Sequence, residues 1–334
     1  MMLQAAINLS RAWLKIGGNA EVDLAALEPL LWREGAAHVP DLVAALKELR
    51  DFSGNSIQLG LTTNGLLLGK YAAHLRNAGI DKVRVSWHSC EKEVFSSIVG
   101  TDCYSAFLSS IEKAIKLELP ISFNRVLIKG FTQDLGRQLD FVRRWNVTIK
   151  LYDLYWTPTI ARYYKQYYVH WKSVVDKYVL PLTEKHEEIR ADFARERHRF
   201  HLVGGGVVEV KTDKNTERHN KPCSSCGKRK VCLEAFGEYL RVDPDMTAIP
   251  CYLRRDLQED LRNVANISDG CSCLAAHLER VFGTSWRSMI AEMRLRLVVV
   301  PFCNFKCTLP RTDANFCLKT LGAYSFVPRT SRIS

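Results

Sequence analysis

Four cysteines, Cys223, Cys226, Cys232 and Cys251, fall as C-x2-C-x5-C and then, after 18 more residues, a fourth. A two-residue gap lets two thiolates turn onto one metal centre without backbone strain. The Gly-Lys-Arg-Lys run ahead of Cys232 carries positive charge that favours thiolate over thiol. Between the third and fourth cysteines the sequence predicts a hairpin. Residues 238–242 form its first strand, Asp243-Pro244-Asp245 the turn, and 247–249 the return strand that delivers Cys251. Four thiolates held this way suit either a tetrahedral zinc or a fully ligated iron–sulfur cluster, and spacing alone does not choose between them. Cys271 and Cys273 are one residue apart and would point to opposite sides of a strand, so they read as loop thiols. Cys303, Cys307 and Cys317 form a third group near the end of the chain.

The elements that must position these groups precede them. Residues 1–13 show helical apolar spacing, and Trp13 to Ile16 reads as a short strand running into Gly17-Gly18. A glycine pair at the carboxyl end of a parallel strand would let the backbone approach a ligand closely. An amphipathic helix over 39–49 and a buried strand over 57–61 come next, the strand ending in Thr62-Thr63-Asn64-Gly65. A helix over 66–78 leads to the strand 82–86, whose end carries Ser86, His88 and Ser89. A helix over 104–117, a strand over 121–128, a helix over 133–144 and a strand over 148–152 follow. This alternation of short apolar strands with longer helices predicts a parallel barrel or open α/β sheet, with the chemistry at the carboxyl ends of the strands. His88 is the histidine among those ends, and it reads as structural sooner than catalytic.

Residues 162–200 are aromatic, charged and read as helical, a mix that suits stacking on bases and equally a helix packed on the barrel with a wet outer side. Residues 201–203, Gly204-Gly205-Gly206 and the strand 207–210 mark a domain junction. A short helix over 256–264, a last helix from Leu274 and a strong apolar strand over 294–300 close the reading. The domain division is thus 1–200, 201–275 and 276–334.

At 334 residues the chain can bury an ample core, and with 47% hydrophobic and 25% charged residues it has an ordinary globular composition. No apolar run approaches the length of a membrane span, and the first residues lack the pattern of a secretory signal. Eleven cysteines without such a signal predict a reducing, cytoplasmic setting, with thiols as ligands rather than disulfides. The formal charge of +11 is spread along the chain, and no nucleic-acid-reading module accompanies it.

The stretches LGLTTNGLLL at 59–68, AGIDKVRVSWHSCEKEVFSSIVGTD at 78–102 and FNRVLIKGFTQD at 123–134, followed by the cysteine hairpin, resemble the radical S-adenosylmethionine (SAM) superfamily. The similarity is greatest to the branch around the molybdenum-cofactor GTP 3′,8-cyclase and to relatives with an auxiliary-cluster domain of SPASM or twitch type. The resemblance implies an α/β fold: a partial (β/α)6 TIM-like barrel of parallel strands with a small carboxyl-terminal cysteine-rich domain. It implies SAM and [4Fe–4S] clusters as cofactors, a small-molecule or peptide substrate, and an electron donor such as a flavodoxin or ferredoxin. Gly17, Gly18, Glu28 and Pro29 would correspond to the family's Gly-Gly-Glu-Pro motif, split here by an insertion. Asn64 and Ser86 would lie against SAM, with Asn124 in the same cavity. Cys223, Cys226, Cys232 and Cys251 would hold an auxiliary [4Fe–4S] cluster with no open iron. The branch's cyclases use three cysteines there, so Cys232 points to a different substrate.

One departure decides the chemistry. The family's C-x3-C-x2-C belongs about 30 residues before Gly17, and no such motif stands there. The segment MRLRLVVVPFCNFKC at 293–307 looks like the missing first strand and loop. Cys303 and Cys307 have the right spacing, Pro310 stands at the third position, and Cys317 is the next cysteine. Three thiolates would leave one iron open for SAM, whose reductive cleavage gives a 5′-deoxyadenosyl radical. Two readings therefore stand side by side. Either the tail strand pairs beside Trp13–Ile16 and restores the barrel, or the barrel lacks its cluster and the protein is a non-catalytic relic that keeps the hairpin metal. A zinc-ribbon nucleic-acid binder is a third reading, and nothing in the barrel calls for it.

Overall fold

The computed structural model describes residues 3–25, 28–158, 160–189, 195–215, 223, 226–227, 239–251, 253–262, 267–282 and 296–299. Helix α1, Leu3–Lys15, buries Leu9, Ala12, Trp13 and Leu14 on one side. Trp13 and Leu14 therefore belong to a helix, not to the strand expected over 13–16. The Gly17 N–H donates to Leu14 O (3.1 Å) and the Gly18 N–H to Trp13 O (2.8 Å). With Gly17 at φ +88°, this is a Schellman stop, which needs glycine because a left-handed residue must end the helix. The glycine pair thus enters the sheet at its amino end and does not line a strand tip.

The first strand in the chain, β1, is Glu21–Leu24. It is followed by α2 (Val39–Lys47), β2 (Gln58–Thr63), α3 (Leu68–Asn77), β3 (Lys82–Ser86), α4 (Lys92–Val99) and α5 (Tyr104–Lys116). Then come β4 (Ile121–Val126), α6 (Leu135–Arg144) and β5 (Thr148–Tyr152). From α2 to β5 the expected strands and helices stand within a few residues of these bounds, whereas β1 and α4 had no expectation at these positions. Beyond β5 the helical expectation gives way to strands. After α7 (Ala161–Tyr167), α8 (Trp171–Val174) and a π turn at Val175–Val179, the chain forms β6 (Thr183–Ile189), β7 (Arg195–Leu202) and β8 (Val207–Asn215). In β7 the buried His198, Phe200 and Leu202 alternate with more exposed Arg197, Arg199 and His201, a period of two hidden in a charge-rich run. The boundary expected after residue 200 falls inside β7, which pairs with β8 in one hairpin.

The cysteine hairpin supplies β9 (Tyr239–Val242) and β10 (Thr247–Ile249), and Glu259–Asp260 adds β11 where a helix was expected. Cys271 and Cys273 sit in helix α9, Ile267–Phe282, not in a loop. The last strand, β12, is Arg296–Val299. Among the described residues these twelve strands form one sheet in the order β11-β10-β9-β12-β1-β2-β3-β4-β5-β8-β7-β6, and Arg33–Glu34 pairs with Ala37–His38 apart from it. From β12 to β5 the six strands run parallel with helical crossovers, and β9 and β8 extend the parallel run at either side. The tail strand lies beside β1, with Leu297 opposite Val22 and Val299 opposite Leu24.

The sheet is curved. Arg84 on β3 lies within electrostatic reach of Tyr152 on β5 and of Tyr239 on β9. In a flat sheet β9 would be roughly 19 Å from β3, four strand spacings away. The convex side is apolar: Val83, Val85, Phe123, Ile149 and Leu151 are fully buried there under the helices. The concave side is charged and polar. No helix among the described residues is long and apolar enough to cross a membrane.

A Cβ on Gly18 would sit 2.2–2.5 Å from the buried Trp13 ring. Gly18→Ala should therefore cost about 2–3 kcal/mol of stability by overpacking, read by chemical denaturation. Ligand affinity of the folded protein should be unchanged, whereas a ligand-contacting Gly18 would lower it.

Candidate active site at the carboxyl end of the sheet

Glu28 follows β1 and caps the short helical turn Pro29–Leu31. Its Oε1 accepts from Thr63 Oγ1 (2.7 Å) and the Leu30 N–H (3.1 Å), and its Oε2 from the Asn64 N–H (2.6 Å). A carboxylate has about four lone-pair directions, so three donors leave one for a ligand. Burial pushes the Glu28 pKa up, and the hydrogen bonds from Asn64, Thr63 and Leu30 push back. Three residues separate the end of β1 from Glu28-Pro29, and no glycine pair stands among them. The residues immediately before Glu28 are Ala26-Leu27, and Gly17-Gly18 lie at the opposite end of β1.

Asn64 closes the tip of β2 by accepting from the Leu66 N–H (3.0 Å). Gly65, at φ +84°, packs where a Cβ would meet Phe107, Val85 and Ile111 at 2.9–3.0 Å. Ser86 and Asn124 are register partners on β3 and β4. The Asn124 Oδ1, the His88 Nδ1 and the Thr157 Oγ1 are buried without a hydrogen-bond partner. Orphaned buried polar atoms are costly unless a ligand completes them, and these three stand on strand ends or on the loop after β5. The polar set thus fits a bound molecule rich in hydrogen-bonding groups.

Below the mouth the concave face is lined with ion pairs. Arg84 Nη1 donates to Asp23 Oδ1 (2.6 Å), and Lys82 Nζ lies 3.0 Å from Glu21 Oε1. Gly60 makes the first pair possible, since a Cβ there would fall 1.8 Å from Asp23 Oδ1. Lys150, in register with Asn124, lies 3.2 Å from Glu209, which also holds Arg199 (2.8 Å). Burial, together with the charges of Arg84 and Arg197, pulls the Lys150 ammonium below its ordinary range although Glu209 opposes this.

The mouth rests on a clamp for which the sequence reading had no role. Arg125 is fully buried on the convex side of β4. It donates to Asp134 Oδ1 (2.5 Å), Gln138 Oε1 (2.7 Å) and Phe131 O (2.6 Å). Asp134 in turn accepts from Ser89 Oγ (2.8 Å) and the Cys90 N–H (2.6 Å), tying the loop after β3 to the start of α6. Burial and Asp134 push the Cys90 thiol up to about 12, so it stays a neutral donor. An arginine at a convex-side position of an otherwise apolar strand, with an acid at a helix start nine residues on, was the available signal. Lys129, at the tip beyond β4, is exposed.

In the cysteine hairpin, Cys223 and Cys251 are buried and Cys226 is half-buried. The Arg254 guanidinium sits against Asp256 and Cys226. Among the described residues no three His, Cys, Asp or Glu side chains are placed to hold a metal ion. Cys232, Cys303, Cys307 and Cys317 lie outside the described residues.

Residues 7–141 match the radical SAM superfamily. Over that stretch the chain is similar to the radical SAM superfamily, and the curated relatives it resembles are GTP 3′,8-cyclases. A probable GTP 3′,8-cyclase of Methanococcus aeolicus is 28% identical over 271 residues, 80% of each chain. One of Pyrococcus abyssi is 28% identical over 225 residues, 65% of this chain and 66% of the relative. One of Sulfurisphaera tokodaii is 35% identical over 125 residues, 37% of each. Among solved structures, Streptococcus suis SuiB bound to S-adenosylmethionine aligns at a TM-score of 0.38 and 14% identity, covering 46% of this chain and 33% of that one. The superfamily's cofactors are a [4Fe–4S] cluster and SAM.

Asp134 is held below the usual carboxylate range: burial opposes this, but the hydrogen bond and charge of Arg125, then Cys90 N and Ser89, prevail. Its contribution is therefore complete above the ordinary Asp pKa and is lost as pH falls through the lowered value. Asp134→Asn should cost about 3 kcal/mol at pH 7 by leaving Arg125 buried without its counter-charge. In urea titrations the gap between wild type and variant should narrow steadily as acidification takes the pH below the ordinary Asp range.

Proposed function

We propose that the chain is a radical SAM enzyme whose SAM cluster is held by cysteines of its own carboxyl-terminal segment. The observation that carries this is the parallel pairing of β12 with β1, the strand that leads to Glu28. The Ala25 N–H donates to Val299 O (3.2 Å), so the chain leaves β12 at the same end of the sheet as Glu28, Asn64 and Ser86. Cys303 is four residues further on, a span of at most about 14 Å. Cys303, Cys307 and Cys317 would hold the cluster. Glu28 keeps one lone-pair direction for the SAM ammonium, and Asn64, Ser86 and Asn124 contact the rest of the cofactor. When bound, the cofactor supplies a 5′-deoxyadenosyl radical that abstracts hydrogen from a small-molecule or peptide substrate.

Cys223, Cys226, Cys232 and Cys251 would hold a second, fully ligated cluster. Arg254 beside Cys226 and the Lys228-Arg229-Lys230 run favour thiolate there. Such a cluster would pass electrons or brace the hairpin. The reductant would be an acidic flavodoxin or ferredoxin, which the +11 formal charge suits.

Anaerobic reconstitution should give roughly eight irons per chain, two four-iron clusters, together with SAM-dependent release of 5′-deoxyadenosine. Cys303→Ser should abolish the release and leave about half the iron. Roughly four irons in the wild type with no SAM cleavage would instead identify a non-catalytic protein that keeps the hairpin cluster, and zinc without iron would exclude both.

A further inference from the structure

We propose that Arg254 sets the reduction potential of the hairpin cluster, its guanidinium donating to the Cys226 thiolate and making the centre easier to reduce. The inference rests on the reading that Cys223, Cys226, Cys232 and Cys251 hold a four-iron cluster, and it gives a role to a residue that no cysteine spacing assigns.

The backbone brings Arg254 to the cysteines from the far side of the hairpin. Cys251 follows the return strand β10, and the Arg254 N–H donates to Cys251 O (3.3 Å), so the chain turns back at once. The Arg254 carbonyl accepts from the Leu257 N–H (3.2 Å), which fixes the entry into the helical turn Arg255–Leu257. Across the site, the Cys226 N–H donates to Cys223 O (3.2 Å) and closes the C-x2-C turn. The Arg254 side chain joins these two turns, because its guanidinium hydrogen-bonds to Cys226. Asp256 holds it in that direction as a fork, accepting from Nε at Oδ1 (2.8 Å) and from Nη2 at Oδ2 (2.6 Å). A guanidinium carries five N–H donors, so the fork leaves donors over for the sulfur.

The surroundings suit a cluster. Cys223 and Cys251 are buried in the apolar core and Cys226 is half-buried. A four-iron cluster takes one thiolate at each iron, so its cysteines need not converge on one point as the ligands of a single ion must. Four thiolates leave such a centre negatively charged, and reduction adds one more negative charge. A cation hydrogen-bonded to a ligand sulfur therefore stabilises the reduced form more than the oxidised form, which raises the potential. Asp256 offsets part of this charge. Its side chain is 58% exposed against 29% for Arg254, however, so water screens the acid more than the base.

Redox titration of the Cys303→Ser protein, which keeps the hairpin cluster alone, reads that potential through the electron paramagnetic resonance of the reduced form. In this background Arg254→Gln should move the reduction equilibrium roughly threefold to tenfold towards the oxidised form, about 28–59 mV for one electron, at unchanged iron content. Arg254→Lys should recover part of the shift, since it keeps the charge and loses the fork. An unchanged potential in Arg254→Gln overturns the proposal. Pulsed resonance of the same protein labelled with 15N-arginine needs no change at position 254. Coupling of the reduced cluster to an arginine nitrogen is expected there, and its absence overturns the proposal even if the glutamine variant loads no iron. Cys303→Ser protein that binds zinc, or no iron, removes the cluster reading itself, and this inference with it.

Discussion

The parallel pairing of β12 between β1 and β9 is the constraint on which the rest depends. β1 and β9 are separated by more than two hundred residues of sequence, and the strand joining them comes later than both. A strand in that slot gives β1 a partner on each side and fastens the cysteine hairpin to the barrel. Bare strand edges are otherwise templates for wrong pairing. The entropy of closing so long a loop grows only with the logarithm of its length, so three buried residues of one short strand can hold the position. Leu297, Val298 and Val299 are all buried, as is their neighbour Leu24.

Given that sheet, its two faces divide the work. The convex face is packed with valine, isoleucine and phenylalanine under helices, and its one fully buried arginine is spent on bracing the loop that follows β3. The concave face carries its charges in pairs between strands, Asp23 with Arg84 across β2 over Gly60, and Glu209 with Lys150 and Arg199 on the strands either side of it. These pairs put polar groups inside the curve of the sheet without leaving them uncompensated. Above them, the strand ends present Glu28, Asn64, Ser86 and Asn124, and the Asn124 Oδ1 has no partner from the protein. Rigid support below and open hydrogen-bonding capacity above are what a cofactor-binding mouth needs.

The parts that were legible in the sequence share a physical cause. β2, β3, β4 and β5 are short apolar runs flanked by helices with clear periodicity, so pattern alone located them, and the polar tips Asn64, Ser86 and Asn124 came with them. β1 was misplaced because Glu21 and Asp23 alternate with apolar residues while Trp13 and Leu14 look like a strand, although they bury against the body of the protein from a helix. The partners that keep those acids on the concave face, Lys82 and Arg84, are some sixty residues away and invisible to local pattern. β6 and β7 were hidden by charge: TEKHEEI and RERHRFHL hold their alternation under side chains that usually mark a solvated helix. The Arg125–Asp134 clamp depends on a tertiary contact between a strand and the next helix. The tail strand, in contrast, was readable from its apolar run and the cysteine spacing that follows it.

The account's central claim is that the carboxyl-terminal cysteines build a SAM-binding cluster independent of the hairpin. Electron paramagnetic resonance of the reduced protein with Cys223, Cys226 and Cys251 all replaced by alanine tests it most directly. The account predicts that a four-iron signal persists and changes its line shape when SAM is added. A folded variant with no cluster signal, or with one that ignores SAM, would contradict it.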